Sequence, residues 1–273
     1  MHRSEDRGLL GRPGSGIDAP TARTRRERRL LRADPEAPLP PVPYDSRPPT
    51  PPKATMSPAS EFSLARLFES THEPVPDLRP NILTVCTGNI CRSPLAETVL
   101  ATRIADLDVR VHSAGTQALV GHAMPPEARE LAERNGVAPA GAAAHRARLL
   151  TESLMHAADL VLTMTAQHTT AAVQLAPRRM HRTFTVREFA RLAATLDDGV
   201  LRSVARGAGT ARARFNALVQ AVSDQRGVAP RAVENEDVVD PYRQSAAVYE
   251  LSASQIIPAL DQVERVARLA LQR

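Results

Sequence analysis

Residues 81–97 run NILTVCTGNICRSPLAE. The segment 81–85 is a short apolar run rich in β-branched residues, the pattern of a strand buried on both faces. Five residues then separate Cys86 from Arg92. Ser93-Pro94 predicts an N-cap followed by proline at the first helical position, opening a helix that runs to about residue 106.

Working outward, 109–114 reads as a second strand ended by Gly115, and 126–135 as a helix stopped by Gly136. A third strand is expected at 160–164, a helix at 166–175 and a fourth strand at 181–186. Helical patterns cover 187–196, 211–223 and 245–271, the last with apolar groups at Val248, Leu251, Ile256, Leu260 and Val263. Strands alternating with helices predict an α/β fold, a four-stranded parallel sheet with helices on both faces.

The first 79 residues read differently. Fifteen of the 23 prolines fall in the first 80 positions, so the segment cannot sustain helix or ladder and has too few apolar groups to offset its ordering entropy. It is expected to be a disordered Pro/Arg-rich tail, and Met56 within it would suffice as a start. The folded domain is expected over 80–273.

Composition narrows the class. With 42% hydrophobic residues, 3% aromatics and no Trp, the core must be aliphatic. The net charge of +5 arises largely in the first 32 residues, with nine arginines against four acidic groups, and the remainder is nearly neutral. No aromatic residues interleave with those arginines, so nucleic acid is not an expected partner. No apolar run reaches bilayer length and no signal-peptide core follows the early arginines, which predicts a cytoplasmic protein without membrane insertion. Its two cysteines, Cys86 and Cys91, are then expected to be reduced. Cys91 reads either as a small packing residue or as the partner of Cys86 in a reversible disulfide. His112, His122, His145 and His168 form no ligand-spaced set with carboxylates, so no metal and no cofactor is expected; they read as surface or hydrogen-bonded residues.

The 86–94 segment carries the chemistry. A loop that wraps onto a helix N-terminus turns successive N–H groups toward one point, where the helix dipole adds positive potential. Thr87, Gly88, Asn89, Ile90 and Cys91 would supply that cradle for a phosphate dianion. Gly88 permits close backbone approach and Asn89 tolerates left-handed geometry. The same field favours the Cys86 thiolate, to which Ser93 can donate. Arg92 offers a planar fork to two phosphoryl oxygens. A thiolate beneath a held phosphoryl group is set for in-line attack.

CTGNICRSP resembles the signature of the low-molecular-weight protein tyrosine phosphatases. The likeness continues through SAGT (113–116), ADLVLTM (158–164) followed by His168, and DPYRQS (240–245). It implies a flavodoxin-like fold, Cys86 as nucleophile, Arg92 as phosphate clamp and Asp240 as general acid and then base. Tyr242 would form one wall of the substrate slot, with Leu119 and Val120 opposite. SAGTQALVG and DPYR look most like the bacterial branch acting on tyrosine autokinases, so phosphotyrosine proteins, an autokinase among them, are the implied partners. Arsenate reductases share the loop but need further cysteines, and none follows Cys91. Phosphoarginine phosphatases, the nearer alternative, tend to carry Thr at Ile90 and Phe at Tyr242. A non-catalytic phosphate-binding module would lack a chemical residue. The chain departs from the pattern over about 187–235, a helical insertion bearing Arg191, Arg202, Arg206, Arg212 and Arg214. Its charge reads as a solvated decoration before a lid or a docking face.

Overall fold

The computed structural model describes residues 78–230 and 235–272. The expected tail, with Met56, lies outside the described residues except for Leu78 and Arg79.

Four strands form one parallel sheet in the order β2-β1-β3-β4. They are β1 (Asn81–Cys86), β2 (Arg110–Gly115), β3 (Leu160–Thr163) and β4 (Thr183–Thr185). Ile82 aligns with Val111 on one side and Leu160 on the other. Every residue of β1 is buried, because alternate side chains enter different cores. Ile82 joins the larger cluster, whereas Leu83 and Val85 pack with Leu150, Met155, Val161 and Ala172 beneath the opposite face. The parallel sheet was legible in the apolar runs for this reason.

Nine helices are present among the described residues: α1 (Arg92–Arg103), α2 (Pro126–Arg134), α3 (Pro139–Ala144), α4 (Glu152–Ala157), α5 (Ala166–Leu175), α6 (Val186–Ala194), α7 (Asp198–Arg206), α8 (Ala211–Asp224) and α9 (Ala246–Leu271). Three of them, α3, α4 and α7, were not anticipated. The start of α7 is set by Asp197, whose carboxylate accepts the Val200 N–H at 2.9 Å.

Four expectations need correction. Helix α1 begins at Arg92, with Cys91 at the cap position and no side-chain cap. Ser93 therefore lies inside the first turn, its hydroxyl 3.0 Å from the Cys86 sulfur and 3.5 Å from the Ala114 carbonyl. In α9 the buried stripe is Tyr249, Ala253, Ile256, Leu260, Val263, Ala267 and Ala270, spaced four and three apart. Leu251 falls off that stripe and is 49% exposed. His112 is neither at the surface nor hydrogen-bonded among the described residues: it is 5% exposed, and neither ring nitrogen has a partner there. It pairs in register with Leu83, so its ring enters a face meant for apolar groups.

The segment 187–235 is not a solvated decoration either. Leu201, Phe215, Leu218, Val219 and Val222 are fully buried in the same cluster as Ile256 and Leu260 of α9. Three of its arginines are tied down around that core, whereas Arg202 and Arg206 are exposed. Arg191 pairs with Glu236 at 2.7 Å, and Arg214 donates to the Ala270 carbonyl at 2.8 Å. Arg212 Nε reaches both oxygens of buried Asp159, at 3.0 and 2.9 Å. Positions 215, 218, 219 and 222 make an i, i+3, i+4, i+7 stripe, so the apolar face of α8 outweighs its charge.

Candidate active site

β1 ends at Cys86 and α1 starts at Arg92, so residues 87–91 must turn the chain through a tight arc at the carboxyl edge of the sheet. Asn89 makes the turn, with φ +55°. Its N–H points to Cys86 Sγ at 3.3 Å, and Ser93 Oγ lies 3.0 Å from the same sulfur. The amide of Asn89 then ties the loop to its surroundings. Nδ2 donates to Ser93 Oγ (3.0 Å) and Ser113 Oγ (2.7 Å), while Oδ1 accepts the Arg148 N–H (2.9 Å). His145 Nε2 lies 2.7 Å from the Asn89 carbonyl, and Ser113 donates to Glu97.

The outer side of the loop is laced to the segment after β2. The N–H groups of Thr116, Gln117 and Leu119 donate to the carbonyls of Cys86, Thr87 and Gly88 at 2.9, 3.0 and 3.0 Å. This close approach depends on Gly115. A Cβ there would overlap the Thr87 carbonyl and stand 3.0 Å from the Asn89 nitrogen. Gly88 meets only ordinary contacts from Ile90 and Leu119. The glycine the loop depends on is thus one that local patterning reads as a strand end and that the family likeness includes within SAGT.

Arg92 is 4% exposed. It donates Nη1 to the Val238 carbonyl (3.1 Å) and Nη2 to Asp240 Oδ2 (2.7 Å). Asp240 Oδ1 accepts the Tyr242 N–H at 3.2 Å, which orients the carboxyl from its own turn. Arg92 and Asp240 thus converge from the two ends of the domain's sequence.

Two cavities meet at this point. A slot of about 150 Å³ is lined by Thr87, Gly88, Ile90, Cys91, Arg92, Asp240 and Tyr242, together with Gln117 and Leu119. Leu119 and Tyr242 both line it. Val120 is not part of the wall and is 65% exposed. Gln117 was not foreseen; only the backbone lacing brings it there. Arg243 stacks its guanidinium 5.1 Å from the Tyr242 ring centre. A larger cavity of about 620 Å³ shares Thr87, Arg92 and Asp240 with the slot and adds Thr165, His168, Arg187, Asp237 and Gln255. Cys86 and Cys91 are both free thiols. Cys91 Sγ lies 3.7 Å from the Tyr249 hydroxyl, and burial pushes its thiol up to about 12. A resolving cysteine must ionise to attack, so burial opposes the disulfide reading.

The low molecular weight phosphotyrosine protein phosphatase family model matches residues 81–225, from the first strand through α8. This chain belongs to that family. Among its relatives, the low molecular weight protein-tyrosine-phosphatase Etp of Escherichia coli K12 is 40% identical over 97 residues, 36% of this chain and 62% of Etp. The chain therefore spans about three fifths of the length of this curated relative. Among solved structures, the Erwinia amylovora tyrosine phosphatase AmsI is similar with a TM-score of 0.48 and 22% identity, over 71% of this chain and 95% of AmsI. The YwlE arginine phosphatase of Geobacillus stearothermophilus has a TM-score of 0.48 and 24% identity, over 68% of this chain and 91% of YwlE. No helix among the described residues is long and apolar enough to cross a membrane.

Proposed function

We propose that this protein is a protein tyrosine phosphatase working through a phosphocysteine, with residues 80–273 as the catalytic domain. One observation carries the reading. A buried sulfur at the mouth of an anion-binding loop accepts the Asn89 N–H and lies 3.0 Å from the Ser93 hydroxyl, while Arg92 and Asp240 meet at 2.7 Å on the rim of a slot with one aromatic wall.

The chemistry follows from the parts. The Asn89 N–H and the Ser93 hydroxyl favour the Cys86 thiolate, and backbone amides with the α1 dipole receive the phosphoryl oxygens. An entering dianion competes with Asp240 for the Arg92 fork and so releases the carboxyl. The thiolate attacks phosphorus, forming P–S and breaking P–O, and protonated Asp240 gives its proton to the departing phenol oxygen. Asp240, now a carboxylate, takes a proton from water. The hydroxyl oxygen attacks phosphorus, P–S breaks, and inorganic phosphate leaves. No step calls for a metal or an organic cofactor. Leu119 and Tyr242 suit a flat ring between them. The implied substrates are phosphotyrosine proteins of the cytoplasm, a bacterial tyrosine autokinase among them.

Turnover of a phosphotyrosine peptide against a phosphoarginine peptide tests the substrate class. Phosphotyrosine should win by a large factor, and preference for phosphoarginine would overturn the assignment. Cys86→Ser should abolish hydrolysis of both while the far-ultraviolet spectrum stays native.

A further inference from the structure

His168 lies outside the phosphate loop, yet it is joined to it. The ring is 4% exposed and sits between two hydroxyls: Nδ1 is 2.9 Å from Thr165 Oγ1, and Nε2 is 2.8 Å from Thr87 Oγ1. Thr165 caps α5, its oxygen accepting the His168 N–H at 3.2 Å. Thr87 directly follows the nucleophile and lines both cavities beside Arg92.

Counting protons gives the chain a direction. The Thr165 oxygen already accepts from backbone, and among the described residues its own proton has one acceptor in reach, His168 Nδ1. With Nδ1 accepting, a neutral ring carries its proton on Nε2 and donates it to Thr87 Oγ1. The Thr87 hydroxyl, with no other partner among the described residues, then keeps its own proton for whatever fills the cavity at Arg92. The reverse tautomer would leave the Thr165 proton without a protein acceptor and turn the Thr87 proton away from the site. The ring is kept neutral by its setting: burial, reinforced by the Arg92 charge, brings it down to about 4, against the opposing pull of Asp240 and Asp237.

We infer that His168 is a positioning residue that holds the Thr87 hydroxyl as a hydrogen-bond donor to the bound phosphoryl group. The inference rests on the phosphomonoesterase reading above and adds a side-chain donor to the backbone cradle. Thr87 would touch the substrate; His168 acts only through it. The donor is aimed before substrate arrives, so little ordering remains to be done on binding.

Three measurements test the chain on the full-length protein. In ¹⁵N-resolved NMR of the histidine rings, assigned by the signal lost in His168→Gln, His168 should be the neutral Nε2–H tautomer at pH 7. In kinetics with p-nitrophenyl phosphate, and in competition by inorganic phosphate, Thr87→Val should lower kcat/KM and weaken phosphate binding about tenfold, as expected for one hydrogen bond to an anion. His168→Leu should do the same. His168→Gln, whose amide N–H can take the place of Nε2–H, should recover most of the loss. In the Thr87→Val background neither His168 change should have a further effect.

An Nδ1–H tautomer, a Gln variant no better than Leu, or an undiminished His168→Leu loss in the Thr87→Val background would each overturn the inference. If His168→Leu does not fold, the wild-type tautomer and the Gln variant still decide. Wild-type protein that hydrolyses no phosphomonoester would instead strike the proposed function, while the tautomer and phosphate affinity would still report on this chain.

Discussion

Arg92 and Asp240, 148 residues apart in the chain, meet at 2.7 Å, and the same guanidinium also donates to the Val238 carbonyl. The proposed phosphate fork and the proposed acid are thus partners of each other. In the proposed mechanism a dianion in the loop competes with that pairing for the guanidinium.

If Asp240 donates that proton, its removal should matter most where the leaving group is poorest. Asp240→Asn should lower kcat for phenyl phosphate by about 10²–10³-fold, within the usual range for a general acid. For a nitrophenyl ester, whose phenolate leaves unaided more readily, the loss should be smaller. A series of aryl phosphates read as log kcat against leaving-group pKa should steepen in the variant. A loss independent of leaving group would remove Asp240 from the acid role.

Gly115→Ala forces a methyl group into the Thr87 carbonyl and against the Asn89 nitrogen, both backbone atoms of the loop. Overpacking of this kind costs about 1–3 kcal/mol. The displaced atoms bear on the Cys86 cradle, so kcat/KM should fall by about tenfold or more, well beyond what the fraction unfolded explains. Thermal melting and single-turnover kinetics on the same preparation separate the two effects.

His112 and His168 are both brought down from 6.5 to about 4, chiefly by burial, with Arg148 opposing the charge on one and Arg92 on the other. As pH falls below 6.5 the unfolded chain takes up protons that the folded protein refuses. Stability should therefore decline from about pH 6.5 to about pH 4, and these two groups contribute no pH dependence above that window. The urea midpoint should drop between pH 7 and pH 4.5, and His112→Leu should flatten the slope. An unchanged slope would mean that His112 is accessible to protons in the folded state.

Asp159 is buried at the junction of β1 and α8, accepting the Asn81 N–H at 3.0 Å and paired to Arg212. Arg212→Ala would leave that carboxylate poorly compensated. Allowing for the partial exposure of Arg212, the loss should be about 2 kcal/mol, a fall in Tm of about 4–8 °C. Turnover at 25 °C should be unaffected, because the pair lies outside both active-site cavities. A neutral result would show that α8 is held by its apolar stripe alone.

These sites differ in how visible they were beforehand. The Cys86-to-Arg92 spacing, the strand before it and the helix after it are consecutive, so their chemistry could be worked out from neighbouring side chains. Asp240 needed the family likeness, since Asp-Pro-Tyr alone is a common surface turn. Gly115 and His168 gave no local signal of their place at the loop. One earns its importance from a carbonyl 28 residues earlier, the other from a hydroxyl 81 residues away. Helix α7 has a weak local signal because Gly199 interrupts its first turn, and the charge of α8 masks its apolar stripe because the partners of Arg212 and Arg214 lie elsewhere in the chain.

Chain order alone was enough for the parallel sheet and for the loop that wraps onto a helix start, because strands buried on both faces and a turn before a helix are written in adjacent residues. Folding decided everything that requires two distant segments to touch: which carboxylate answers Arg92, which glycine lets the loop close, which stripe of α9 faces inward and whether a histidine ends up dry. Periodicity and spacing encode direction along one element, whereas burial and partnership belong to pairs of elements, and those pairs exist only once the sheet has brought its neighbours together.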